Sequence, residues 1–306
     1  MLRKYQISEG KLVENSEKDA AVLMYINPDD VERRYLIDAL QLDEHTLNSA
    51  LDPDEVGRVE FESAHTAVII KRPKRYSSED NFLLKISSVG LFLFADKLVI
   101  VMQEDAVLFD GKHFQRLRSL TDVLLKIVHR CIIHFEQHLH VIQQISDELE
   151  REINKAMANK DLLHMFNLEK SLVYYLKAIS SNGKVIDRLK TNTTKFSFST
   201  EDNEFLEDVI IENSQCFEEA NTYSQVLSSM MDAWVSIVSN NLNILIKDLT
   251  IVMICIMVPT LIISIFSMNV QLPFPHEGTL VPFWIILALA ILSIIIVIAV
   301  YKNRKR

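Results

Sequence analysis

Seven residues near the carboxyl end of this chain recur at alternating steps of three and four: Asn243, Ile246, Thr250, Met253, Met257, Thr260 and Ser264. On a helix that spacing places them along one stripe. Four of them carry a neutral oxygen, one amide and three hydroxyls. Neutral oxygens hold a hydrated cation weakly enough to let it leave, which conduction requires. The two thioethers are poor partners for a hard cation and suit an apolar constriction that gates by excluding water. The flanking residues are mostly Ile, Leu and Val, and in lipid the softer, more polar side chains turn toward protein or water. Copies of this helix gathered with the stripe inward would enclose a narrow axial path. The alternative is local: Thr250, Thr260 and Ser264 bond to their own backbone, while Asn243 caps or packs.

The elements that must position this stripe are legible around it. Leu249 to Phe266 is an 18-residue run without a charge, and Val281 to Tyr301 is a 21-residue run whose hydrophilic side chains are Ser293 and Tyr301. A helix needs about 20 apolar residues to cross a bilayer, so both runs read as membrane spans. Between them lies a polar island, 267–280, with Ser267, Met268, Asn269, Pro273, Pro275, His276 and Glu277. Its prolines keep either helix from continuing into it. Lys302, Arg304, Lys305 and Arg306 follow the second span directly. Basic residues there favour the cytoplasmic side. Two spans then put both termini in the cytoplasm, the island outside, and the protein in the cell membrane. Trp284 reads as an interfacial anchor.

Upstream, Ser199 or Thr200 is an N-cap signal with acids in the first turn. After it no glycine or proline occurs before Pro259. One helix from Thr200 to Phe266 is predicted, about 100 Å long at the usual rise. Such a helix has to be covered by neighbours or by copies of itself.

The rest of the chain reads as an α/β domain over 1–118, then a helical region over 119–198, the long stalk and pore helix over 199–266 (membrane span 249–266), the loop 267–280, a second span 281–301 and a basic tail 302–306. Strand-like runs stand at 20–26, 67–71, 81–94 and 97–103, and short helices at 29–40 and 43–51. Helical spacing runs from Leu120 to Ile153 and again over 162–190, where Gly183 weakens the middle. Net charge is −9. Setting aside Glu277 and the four basic residues of the tail leaves 28 basic against 40 acidic residues in the first 248, a balance of −12. That argues against nucleic acid and is compatible with cations. The three cysteines, Cys131, Cys216 and Cys255, have no metal or disulfide spacing. The amino terminus lacks the apolar core of a secretory signal. His129, His134, His138 and His140 share one helix. His134 and His138 stand one turn apart, as a metal pair would, but read better as a solvated face. The acids Asp147, Glu148, Glu150 and Glu152 read the same way. No nucleophile–base pair or phosphate-binding glycine loop appears, so neither an enzyme nor a cofactor is expected.

Two carboxyl-terminal spans joined by a short loop with a Met-Asn pair resemble the CorA-type magnesium channels, whose signature is Gly-Met-Asn at the outer end of the first span. Here those positions are Ser267, Met268 and Asn269. The stretches 51–73 and 170–182 are similar to family segments, and 238–270 resembles the pore helix throughout. The resemblance implies a homopentamer with a funnel-shaped cytosolic domain. It would take up magnesium down the membrane potential and be held shut by cytosolic magnesium bound between subunits. Magnesium is then both cargo and regulator. The resemblance places Asn243, Met253, Met257, Thr260 and Asn269 in the pore. It assigns Asp208 to a regulatory site, facing Asp80 or Glu79 of a neighbouring subunit. Ser267 replaces the signature glycine, and serine is poorer at positive φ. Phe266 replaces a usual tyrosine. A sister branch with altered signatures moves zinc. A zinc, cobalt or nickel transporter on the same scaffold is therefore the alternative reading, and a non-transporting membrane-anchored homologue is another.

Overall fold

The computed structural model describes residues 1–15, 20–75, 82–109, 112–153, 159–268 and 280–304. They fall into two compact units, Met1–Met231 and Asp232–Arg306.

The first unit is built on a seven-stranded sheet: β1 (Leu2–Ser8), β2 (Lys11–Glu14), β3 (Val22–Ile26), β4 (Arg58–Phe61), β5 (Thr66–Pro73), β6 (Ile86–Leu93) and β7 (Leu98–Met102). The spatial order is β2-β1-β3-β7-β6-β5-β4, and of these pairs β3–β7 is parallel and the others antiparallel. The first hairpin turns through Glu9 and Gly10, both at positive φ, as a tight hairpin turn demands. Alternate residues of the central strands enter two separate cores. Leu98, Ile100 and Met102 face one side with Val68, Ile70 and Leu91. Val99 and Val101 face the other with Ala67 and Phe92. Covered on both faces, β7 reads as the unbroken apolar run LVIVM.

One face is covered by α1 (Asp30–Arg34), which runs on into a π-helical turn, and by α2 (Glu44–Leu51), through Leu36, Leu40, Leu47 and Ala50. Gly90 permits this: a Cβ there would lie 2.5 Å from that of Ala50. The other face is covered by α3 (Leu120–Ile153) and α4 (Asn159–Thr191). After the single turn α5 (Thr193–Phe196) comes α6, Thr200–Phe266, which begins in the first unit and ends in the second. Ser199 caps it reciprocally. Its hydroxyl accepts from the Asp202 amide at 3.1 Å, and its own amide donates to the Asp202 carboxylate at 2.9 Å. This is the capping-box exchange, with Asp in the usual Glu position. Leu206, Val209, Cys216, Ala220 and Leu227 carry the first part of α6 into the core with α3 and α4. Gly183 does not interrupt α4. It opens room for α6, since a Cβ there would meet the Asn213 side chain at 3.1 Å.

Strand β4 pairs with β5 only as far as Ile69, which leaves the next backbone groups of β5 bare. Asn182, on α4, fills the place of a strand: its side chain accepts from the Lys71 N–H at 2.8 Å and donates to the Lys71 carbonyl at 2.8 Å. Ser181 accepts from the Gly57 N–H at 2.8 Å, and Ser171 from the Leu84 N–H at 2.8 Å.

The second unit holds the remainder of α6 and α7 (Val281–Arg304).

Candidate functional site

Both helices of the second unit are long and apolar enough to cross a membrane, and little of either is buried within the chain. Half-buried residues of α6 fall on one stripe: Ile251, Cys255, Val258, Ile262 and Phe266. The more buried residues of α7 fall on another: Ile286, Ala290, Ile294, Val297 and Tyr301. Ala290 is the most buried of them. At the far end from the 267–280 loop the pair is tied by polar contacts. The Tyr301 hydroxyl donates to the Asp248 carboxylate at 2.8 Å, and the Lys247 ammonium lies 5.5 Å over the Tyr301 ring. Sequence reading did not single out this tie. The signal was present, because Asp248 directly precedes the first apolar run and Tyr301 ends the second, so the two residues share one depth.

The predicted stripe lies elsewhere on α6. Asn243, Ile246, Thr250, Met253, Met257, Thr260 and Ser264 are all exposed, and none belongs to the half-buried stripe. The local alternative holds for two of them as well. The Thr250 hydroxyl donates to the Ile246 carbonyl at 2.7 Å, and that of Thr260 to the Ile256 carbonyl at 2.7 Å. The two readings are compatible. A hydroxyl whose proton is committed to its own helix presents only lone pairs outward. The outer surface of a hydrated cation presents water hydrogens, so a pure acceptor suits it. Pro259 removes one donor from the ladder and leaves the Cys255 carbonyl without its helical partner.

Helix α6 ends at Phe266. Ser267 follows in a turn, its amide donating to the Ile263 carbonyl at 3.0 Å and its hydroxyl to the Ser264 carbonyl at 2.9 Å. Ser267 is not at positive φ. The expected backbone handicap of serine in the glycine position therefore does not arise, and its hydroxyl caps the helix instead. Asn269, Glu277, Glu79 and Asp80 lie outside the described residues. Asp208 is exposed on α6 and makes no ion pair among the described residues.

The histidines correct the sequence reading. His129, His134 and His138 do not form a solvated face, whereas His140 is exposed as expected. His129 is buried, its Nε2 2.5 Å from Glu212. His138 Nδ1 lies 2.7 Å from the hydroxyl of the fully buried Tyr175. His134 stands edge-on to His138, ring centres 4.8 Å apart. Burial pushes the His134 imidazole down to about 3, helped by His138, Arg72 and Arg130, and burial alone pushes His138 down to about 4. Both are neutral at physiological pH. Among the described residues no three His, Cys, Asp or Glu side chains gather as a metal site would need. Asp147, Glu148 and Glu150 are exposed as expected, apart from the more buried flank at Leu149, and the Glu152 side chain lies outside the described residues.

Comparison with known proteins fits this architecture. The sequence profile of the CorA-like Mg2+ transporter protein family matches residues 18–303. The cobalt/magnesium transport protein CorA of Methanocaldococcus jannaschii is 26% identical over an alignment covering 97% of this chain and 95% of that protein. The complete structure of the CorA magnesium transporter from the same organism superposes with a TM-score of 0.81 at 23% identity, covering 99% of this chain and 97% of the other. The full-length CmaX protein follows with a TM-score of 0.73 at 13% identity, covering 100% of this chain and 98% of its own. With the match running from residue 18, through most of the sheet domain and the long helix, into the second apolar helix, this chain belongs to the CorA-like Mg2+ transporter family.

Proposed function

We propose that copies of this chain gather around the exposed stripe of α6 and pass divalent cations, magnesium foremost, into the cell. One observation carries the reading. On a helix fit to cross a membrane, the stripe from Asn243 to Ser264 is bare like its apolar neighbours Val252, Ile256 and Leu261, but it alone gathers amide, hydroxyl and thioether side chains on one face, clear of the half-buried stripe. The family resemblance puts the number of copies at five. The basic tail supports cytoplasmic termini and an outer loop. There, a ring of Asn269 amides would hydrogen-bond the waters of magnesium without stripping them, since magnesium dehydrates reluctantly. Glu277 would raise the local cation concentration. Met253 and Met257 would form the constriction. Asp208, exposed and unpaired among the described residues, is available to a divalent ion shared with Glu79 or Asp80 of the next subunit, so that a filled cytosol closes the path.

The test is flux into liposomes carrying the purified protein, with magnesium, cobalt, zinc and nickel compared side by side. Magnesium uptake is expected, blocked by hexaammine complexes that mimic the hydrated ion and abolished by Asn269→Ala. A second reading is favoured by the name of the M. jannaschii relative, a cobalt/magnesium transport protein: cobalt uptake faster than magnesium would select it. No flux above that of empty vesicles would overturn both and leave a membrane-anchored homologue.

A further inference from the structure

The end of β5, the segment after β7 and one face of α3 enclose a cavity of about 340 Å3. Its floor is Arg72, only 2% exposed. The Arg72 guanidinium donates to two main-chain oxygens, Nη1 to Pro73 at 3.1 Å and Nη2 to Glu104 at 3.3 Å, and its Nε has no partner among the described residues. No carboxylate among them forms an ion pair with it, although Glu104 and Asp105 favour its charge from a distance. The Glu104 carboxylate is 2.5 Å from the Lys74 ammonium. Asp105, the one acid among the described residues that line the cavity, is held by Arg3 through two bonds of 3.1 and 2.6 Å. Arg75 and Arg130 line the same cavity, and neither has an ion pair within 4.0 Å among the described residues.

Glu104 and Asp105 offset part of the cost of this buried guanidinium, whereas Arg75 and Arg130 have no ion partner among the described residues. An anion in the cavity would supply the counter-charge that Arg75 and Arg130 lack, with the Arg72 charge adding to the attraction from beneath. The rest of the wall suits one. The His138 ring, tied through Nδ1 to the Tyr175 hydroxyl at 2.7 Å, lines the cavity. Cys131 is fully buried and held as the uncharged thiol, a weak donor. Arg72, Arg75 and Arg130 line this space together with His138 and Cys131, and it is far larger than a lone water needs. Planar forks of that kind match the oxygens of phosphate.

We infer that this cavity binds a phosphate-type oxyanion, either free phosphate or the phosphoryl group of a small metabolite, held by Arg72, Arg75 and Arg130. The site belongs to the sheet domain and is independent of the cation path along α6.

The experiment uses the full chain in detergent with isotope-labelled histidine rings. Inorganic phosphate and a nucleoside monophosphate are titrated separately, with chloride keeping the ionic strength constant. Saturable shifts of the His134 and His138 signals are expected from at least one of the two, and the tighter of them names the source of the phosphoryl group. Affinity should fall at least tenfold in Arg130→Gln and in Arg75→Gln, the loss of one charge-assisted contact each. Both variants spare the buried Arg72. Shifts no larger than those of the chloride control, or wild-type affinity in both variants, would overturn the assignment.

Discussion

At the scale of single residues the sheet domain depends on polar groups in apolar places. Asn182 is fully buried and satisfies both backbone groups of Lys71. Asn182→Ala strands a buried donor and a buried acceptor, and the expected loss is about 2–3 kcal/mol. It is read as a lowered thermal midpoint of the full chain, and an unchanged midpoint would show that the bare edge finds other partners. Lys71 itself is buried, its ammonium donating to the carbonyls of Asp52 and Pro53 and to the Ser88 hydroxyl at 3.2, 3.1 and 2.6 Å. Burial pushes this ammonium down from 10.5 to about 8, against the pull of Asp52, Glu55 and Asp54. Above pH 8 the folded form releases the proton while the unfolded chain keeps it up to 10.5, so folding gains stability as pH rises through that window. The gain is on the order of 3 kcal/mol at 1.36 kcal/mol per unit. Denaturant titrations of wild type and Lys71→Met across roughly pH 7.5–10.5 should diverge in that direction. Parallel curves would mean that Lys71 keeps its proton. Neither residue was legible as structural in the sequence. Asn182 stood in a segment noticed for its family likeness, and nothing in the order of residues tells that the pairing of β4 stops two residues short of Lys71. His129, His134 and His138 were misread for a related reason. Polar spacing on a helix identifies a face, but whether water or another element covers that face is decided by tertiary packing.

At the scale of elements, legibility followed hydrophobic pattern. The long helix, both apolar runs and the central strands were written in apolar runs and in the lack of breakers, and the structure has them. The hairpin β1–β2 and the strand β4 were not foreseen. Sequences such as RKYQIS and RVEF are largely polar, and their burial patterns are mostly exposed or intermediate. Such sheet edges gain their strand form from pairing with a neighbour. The same logic assigns faces on α6. The stripe through Met253 and Thr260 is bare, whereas Cys255 and Ile262 are half-buried. In a Cys255→Ser background, Met253→Cys and Thr260→Cys should react with a small water-soluble thiol reagent at least ten times faster than Ile262→Cys. The ranking follows from access, because thiolates form where water reaches the sulfur and not against an apolar helix. Equal rates at the three positions, measured on protein in liposomes, would remove the stripe from any aqueous path.

At the scale of the whole molecule the charge is segregated along the chain. The first 248 residues carry a balance of −12, and apart from Glu277 the region between Leu249 and Tyr301 carries no charged side chain. On the proposed reading, inward cation flux draws on the electrical gradient. Moving one charge across 100 mV is worth about 2.3 kcal/mol, so a divalent ion gains about 4.6 kcal/mol. At 1.4 kcal/mol per decade that sustains a concentration ratio on the order of 2,000. Initial magnesium uptake into liposomes should therefore rise when a potassium diffusion potential makes the interior negative, and nearly stop when the potential is reversed at equal concentrations. Asn269→Ala should flatten the response to the level of empty vesicles in both polarities. In the proposed channel the neutral wall oxygens carry no charge to compensate the ion, so the full divalent charge would cross the field. Uptake indifferent to polarity would mean that a counter-ion moves with magnesium, and an open path lined by amides, hydroxyls and thioethers would no longer describe the protein.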